Sequence, residues 1–397
     1  MITKMLTQIF DPDGDLVLVL SKRFREDEQT KSTPTTPGEA DAPPPADSHA
    51  RTNSLFDELS SSLILNVLEL GKEASPLTDV GMLVSSKHMM LASPVFKAML
   101  RPNFREGETL RATGQATIPL PEDHLDAFVI LLDIIHGRSK KIPRVVPFEM
   151  LLSLAILIDK YRLHELTRFF AEIWLDAVKE DIPTEMTREL VPWLVIAWVF
   201  GRADEFRNIT RILERESQGR VYTKIYLEGR KLELPLPGPV MGRFRADLSS
   251  THPTDKAPTD AVEKKRASAI AAMLSVVESY VDNLQKGRAG LCGMAQGTMC
   301  CEGMILGTIL MSAAQCRLWP IPRAPYYLKS CNSVEELMKK MVIKSWCGIR
   351  HVTFAGDTHG VKEGIAKSVE EITSSLCGLE LDDFKFEGEN VVRSYVL

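Results

Sequence analysis

No cysteine precedes Cys292 in this chain of 397 residues, and no Cys-x-x-Cys pair occurs anywhere in it. The count is seven, which is odd. The N-terminus, MITKMLTQIFDPDGD, holds no apolar run long enough for a secretory signal. A disulfide framework is therefore a poor reading, and the expected setting is reducing and intracellular, in nucleus or cytoplasm. A basic excess is also missing. Lys plus Arg is 48 against 53 for Asp plus Glu, a net charge of −5. Nucleic-acid binders carry the opposite balance, so no nucleic-acid partner is expected. Aromatics make up only 7%, too few for an extended base-stacking surface. The longest uncharged apolar stretch, Gly303 to Cys316, has 14 residues, and a membrane-crossing helix needs about 20. No membrane association is expected.

Motifs for chemistry are missing too. The glycines at 290, 293, 297, 303 and 307 form neither G-x-G-x-x-G nor a phosphate loop. There is no G-x-S-x-G, and His164-Glu165 lacks a second histidine at position 168, which is Arg168. The expectation is a protein that is not an enzyme and needs no cofactor.

What remains is ordinary core-forming material, 44% hydrophobic and 25% charged. Asp15 to Leu20 (DLVLVL) follows the turn-like Asp11-Pro12-Asp13-Gly14 and predicts a strand. Residues 21–53 hold five prolines among Ser, Thr and acidic residues and predict a disordered insertion. Leu63 to Leu70 fits either a strand or a helix, and Met82 to Val84 predicts a short strand. The period then turns helical. Ser86 to Leu100 carries Met89, Met90, Val95, Phe96 and Met99 at helical spacings, and Pro94 should end one helix and open the next, with Ser93 as cap. Thr117 to Leu120 reads as an edge strand because of Pro119. Asp123 to Gly137 is an apolar helix stopped by glycine. Helix pairs follow over Pro147–Lys179 and Met186–Glu216, then a hairpin about Glu228-Gly229 and a linker over 247–260. Ala261 to Lys286 predicts a long helix, and the rest, to about Phe386, is mainly helical. The Gly- and Cys-rich stretch Ala289 to Cys316 suggests close helix packing.

The order strand, helix pair, edge strand, apolar helix, helix pair carries a resemblance. Val84 and then Lys87-His88-Met89-Met90-Leu91-Ala92-Ser93-Pro94-Val95-Phe96 resemble the signature of the BTB/POZ domain. The likeness continues through Phe104-Arg105-Glu106, Ile118-Pro119-Leu120-Pro121 and Leu131-Leu132-Asp133-Ile134-Ile135-His136-Gly137, and Asp15 to Leu20 resembles the family's opening strand. One departure is the insertion of roughly sixty residues between the first two strands, which chain entropy tolerates because closure cost grows slowly with length. In that insertion and the helical C-terminal region the chain looks like fungal BTB proteins. The resemblance implies an α+β fold, with a BTB/POZ domain over 11–181 that includes the insertion at 21–53. A helical extension over 184–217, a hairpin and linker over 219–260 and a helical domain over 261–386 would follow. It also implies protein partners, since many members dimerise and many recruit a cullin scaffold as substrate adaptors of ubiquitin ligases. Others serve transcription or channel assembly.

Several residues follow as candidates. Phe104 and Glu106 resemble the apolar-x-Glu element by which some BTB domains meet a cullin. The plainer reading is a solvated loop in which Phe104 closes the local core. Leu16, Val17, Met89, Met90, Val95, Phe96 and Met99 would form core and a homodimer face. His88 reads best as a buried, hydrogen-bonded core histidine. Arg138, Lys140, Lys141 and Arg144 read as a solvated loop. Cys347 and His351, with three residues between them, have the spacing of a zinc-chelating pair. Two further ligands would come from the other cysteines and histidines, whereas Cys292 and Cys300, with seven between, do not suit a chelating pair. The competing reading is small cysteines buried between helices. The expected function is a protein–protein interaction scaffold, extending to a cullin adaptor. The alternative is a transcription-related or structural BTB protein with a metal-stabilised C-terminal module.

Overall fold

The computed structural model describes residues 6–23, 77–219, 224–227, 230–234, 261–293, 298–347 and 357–384. The fold is mixed: a four-stranded sheet, a two-stranded hairpin and twelve α-helices among the described residues. Packing divides the chain into two compact units. The first comprises residues 1–91 and 96–132, and the second 92–95 and 133–397. The division falls within the 11–181 segment.

In the first unit, four strands form one sheet: β1 (Leu6–Ile9), β2 (Leu16–Arg23), β3 (Leu77–Val84) and β4 (Ala116–Pro119). Their spatial order is β1-β3-β2-β4. The two central strands run antiparallel, pairing Leu16 with Val84, Leu18 with Met82 and Leu20 with Val80. All six of these side chains are buried. They recur at every second position, as a sheet with one covered face requires. β1 joins β3 and β4 joins β2, both in parallel. Pro119 closes an edge strand, where its missing N–H costs no ladder bond. β1 was not foreseen, because Thr7-Gln8 interrupts its four residues. β2 runs three residues beyond Leu20, through Arg23, into the segment expected to be disordered. The rest of that insertion and Leu63–Leu70 lie outside the described residues.

The sheet is followed by short helices. Asp15 fixes the first of them: its carboxylate accepts the backbone N–H and the hydroxyl of Ser86, each at 2.7 Å. This anchors the start of α1 (Ser86–Ala92) beside β2. Pro94 opens α2 (Pro94–Met99), as its fixed φ favours. Next comes α3 (Arg105–Thr113), which hydrophobic periodicity alone does not reveal, since Leu110 is its one large apolar residue. α4 (Leu125–Ile135) ends near Gly137, which takes φ +68°.

Among its described residues, the second unit is helical apart from the hairpin β5 (Lys224–Leu227) and β6 (Arg230–Glu233). Its first part comprises α5 (Phe148–Tyr161), α6 (His164–Val178), α7 (Leu190–Val199) and α8 (Ala203–Glu216). α7 is apolar all round and nearly wholly buried, the expected state for such a helix. The 25-residue α9 (Ala261–Gln285) organises the remainder. Ile270, Met273, Leu274 and Val277 on α9 meet Ile305, Ile309 and Ala313 of α10 (Thr298–Gln315) in one core. Val334 and Met338 of α11 (Cys331–Lys339) join it, with Ile365 and Val369 of α12 (Val361–Ser374). The glycines of α10 play a different part from the one expected. A Cβ on Gly303 or Gly307 would meet nothing, so these residues do not mediate close helix contact.

Two polar devices lie inside this unit. Arg266 is fully buried, and its guanidinium donates to both carboxylate oxygens of Glu263 and to the carbonyls of Pro325 and Lys329. Glu214 is likewise buried and faces Lys265 at 3.1 Å while accepting the N–H of Gly378 at 3.0 Å.

Candidate functional site

The residues expected to form a platform separate into two sets. Leu16, Met89 and Phe96 are fully buried and serve as core, while Val17, Met90, Val95 and Met99 are half-buried. His88 is exposed on α1, not buried as expected: the inward positions of that helix fall to Ser86 and Met89. Phe104 ends the turn before α3, in extended conformation, whereas Glu106 sits in the helix and not in a loop. Phe104 is 50% exposed at the N-cap of α3, and Glu106 lies half-buried in the first turn. A carboxylate there meets the positive end of the helix dipole. Gly107, the next residue, is buried against the 100–101 backbone, where a Cβ would overlap the carbonyls of Leu100 and Arg101. Its missing side chain lets the start of α3 pack closely, which fixes where Phe104 projects. Arg138, from the basic run, pairs with Asp133 at 3.1 Å, whereas Lys140 and Lys141 are exposed.

A second group of residues converges in the helical unit. The sulfurs of Cys292, Cys301 and Cys347 and a ring nitrogen of His359 all lie within 4.8 Å of one another. Cys301 Sγ is 3.3 Å from Cys347 Sγ and 3.4 Å from His359 Nε2, and Cys292 Sγ is 3.8 Å from Cys347 Sγ. Cys292 and Cys301 are buried, Cys347 and His359 half-buried, and none of the cysteines is in a disulfide. Cys347 was expected as a ligand and is there. His351, its expected partner, lies outside the described residues. Cys300, weighed beside Cys292, is exposed and outside the group.

Local structure brings these four residues together. Cys301 stands in the first turn of α10, in phase with Ile305 and Ile309 on the buried side. Glu302, beside it, accepts the N–H of Leu291 at 3.2 Å and so holds the segment bearing Cys292. Ser345 and Thr358 join the Cys347 turn to the His359 turn, their hydroxyls 3.0 Å apart. Asp357 accepts N–H groups from His359, Val361 and Lys362, which satisfies the start of α12 and orients His359. Gly360 then takes φ +72°, a conformation that costs a glycine little.

The electrostatics are uneven across the group. Burial pushes the Cys301 thiol up, but hydrogen bonds from His359, from the Cys347 backbone and from the other two thiols outweigh it and bring it down to about 7. Hydrogen bonding to Cys301, then burial, pushes Cys347 up to about 11. Cys301 is therefore the first of the two to lose its proton, and its negative charge opposes a second thiolate within 4 Å of it. A Cys–His nucleophile is the other chemistry such a pair could perform. Cys301 is 0% exposed, however, and two cavities among the described residues lie elsewhere. The larger, about 100 Å³, is lined by Met338, Met341, Ile343, Ile365 and Val369 together with Glu335, Lys339 and Lys362, and no cysteine or histidine lines it.

No protein-family model matches the chain, and no curated protein matches it.

The three members besides Cys347 had no short-range spacing to reveal them. Cys301 and Cys347 are 46 positions apart, and Cys301 and His359 are 58. The helix phase that separates Cys301 from Cys300 was readable, as was the Asp357 turn that holds His359.

Proposed function

We propose that the chain is a protein–protein interaction scaffold whose first unit acts as a BTB/POZ-type docking platform, with recruitment of a cullin-type ubiquitin ligase as its specific role. One observation carries this reading. β2 and β3, separated by the long insertion, pair at the centre of one small sheet that leads directly into short helices. A sheet covered by side chains over its whole buried face offers a surface for docking, not a chamber for chemistry. Phe104, exposed beside Glu106 and fixed by Gly107, supplies an apolar anchor next to a carboxylate. That pairing suits a pocket rimmed by basic residues.

The experiment is a pull-down of cullin by the full chain against Phe104→Ala and Glu106→Arg. Both substitutions should abolish capture while leaving the circular dichroism spectrum unchanged. Capture equal to wild type by both would refute the adaptor mechanism. Light scattering behind size-exclusion reads self-association separately: a dimer at tens of micromolar supports a homodimer face, and a monomer removes it.

A further inference from the structure

We propose that Cys292, Cys301, Cys347 and His359 bind one zinc ion as a closed structural site that fastens the C-terminal helices of the second unit. The inference stands apart from the docking role of the first unit.

The distances carry it. Zinc–sulfur bonds of about 2.3 Å at the tetrahedral angle put sulfurs about 3.8 Å apart, and a nitrogen ligand slightly closer to each sulfur. The observed separations are 3.8 Å for Cys292–Cys347, 3.3 Å for Cys301–Cys347 and 3.4 Å for Cys301–His359. Nothing in apolar packing requires three thiols and an imidazole to point at one place. A disulfide needs sulfurs about 2.05 Å apart, and it would leave the third thiol and the histidine unexplained. An iron–sulfur cluster places its sulfide-bridged irons between the thiolates, which therefore stand farther apart than these.

Ligand type selects the ion. Soft thiolates with one imidazole in tetrahedral array favour zinc over the oxygen-seeking cations. Four protein ligands leave no open position for water or substrate, which is the mark of a structural site. The surroundings have the tethers such a site needs: Glu302 on the Cys292 segment, Ser345 with Thr358 between the last two ligands, and Asp357 on the His359 turn. The ion would cross-link the start of α10, the Cys347 turn and the entry to α12, segments that are far apart in sequence.

The test uses the full chain, produced with added zinc and purified under reducing conditions without chelator. Plasma mass spectrometry should find one zinc per chain. Replacement by cobalt should give thiolate-to-cobalt charge transfer and the intense visible bands of a tetrahedral ion. Cys300→Ser, one position from a ligand but exposed, should keep one zinc, and Cys301→Ser should lose it. Should Cys301→Ser fail to fold, His359→Cys keeps the question open to decision: a four-cysteine set should retain one zinc and shift the cobalt bands. In wild type, Cys292, Cys301 and Cys347 should stay unreactive until a mercurial releases the metal, in addition to Cys331, which is buried away from the site. Four results would each overturn the proposal. These are wild type binding neither metal, an octahedral cobalt spectrum, unchanged zinc content in both Cys301→Ser and Cys347→Ser, or a disulfide among the three cysteines in reduced protein.

Discussion

Each of the two units has its own kind of interior. In the first, the interior is almost entirely apolar: among its described residues, Ser86 and Asp123 are the buried polar ones. Alternating leucines on β2 meet Val80, Met82 and Val84 on β3, and burial at every second position fixes the register. In the second, segments far apart in the chain are tied by groups that are costly to bury alone. The ties are Arg266 with Glu263 and two carbonyls, Glu214 with Lys265 and Gly378, and the three thiols with His359. The comparison teaches that a sheet sets its own pairing by periodicity, whereas a set of helices joined by long irregular segments needs specific polar anchors to choose one arrangement.

The anchor on which most depends is Arg266. Arg266→Ala leaves Glu263 and the carbonyls of Pro325 and Lys329 without their donor, and should cost about 3–5 kcal/mol. Urea denaturation measures the loss, and hydrogen exchange should place it in α9 and residues 325–329. No loss would mean that apolar packing alone sets this unit as well. For the first unit, Leu18→Ala removes a fully buried side chain opposite Met82 and should cost about 2–5 kcal/mol, read by the same denaturation. A smaller effect is expected at Gly107→Ala. A methyl there overlaps backbone carbonyls, so stability should fall by about 1–3 kcal/mol and capture through Phe104 should weaken with it.

Alkylation gives the mildest readout and reports on the second unit alone, because no cysteine precedes Cys292. Burial pushes the Cys331 thiol up to about 11, with Arg266 acting weakly the other way. Its thiolate is therefore scarce at pH 8 and grows only as pH rises through that value. Iodoacetamide at pH 8 should label exposed Cys300 and Cys377 quickly and Cys331 only on unfolding. Fast labelling of Cys331 in the native protein would contradict its burial beside Arg266.

Much of this was legible from residue order, and the misses have physical causes. DLVLVL and the break at Pro94 are local signals, and β2, α1 and α2 formed where these placed them. α3 escaped because its sequence, REGETLRAT, is almost wholly polar. It declares itself only through acidic residues in the first turn and Gly114 at its C-cap, φ +75°. β1 escaped because four residues hold too few alternations. His88 was assigned to the core on the general ground that a lone histidine is more often a buried, hydrogen-bonded one, while helix phase puts Met89 there instead. In the thiol group the local pair Cys347–His351 attracted notice because chelation is usually sought at short spacing. His351 lies outside the described residues; among the described ones, the donor atoms that converge around Cys347 come from three other places in the chain, and the packing of α10 and α12 brings them together.

The contrast between the units can be put to one measurement: hydrogen exchange on the reduced full chain, with and without a strong zinc chelator. The chelator should raise deuterium uptake at 291–293, at 298–305, around 345–347 and at the start of α12, while β2 and β3 keep their protection. Uptake that is unchanged at those four places, or that rises equally in the sheet, would contradict a helical unit fastened by zinc and a sheet held by apolar burial.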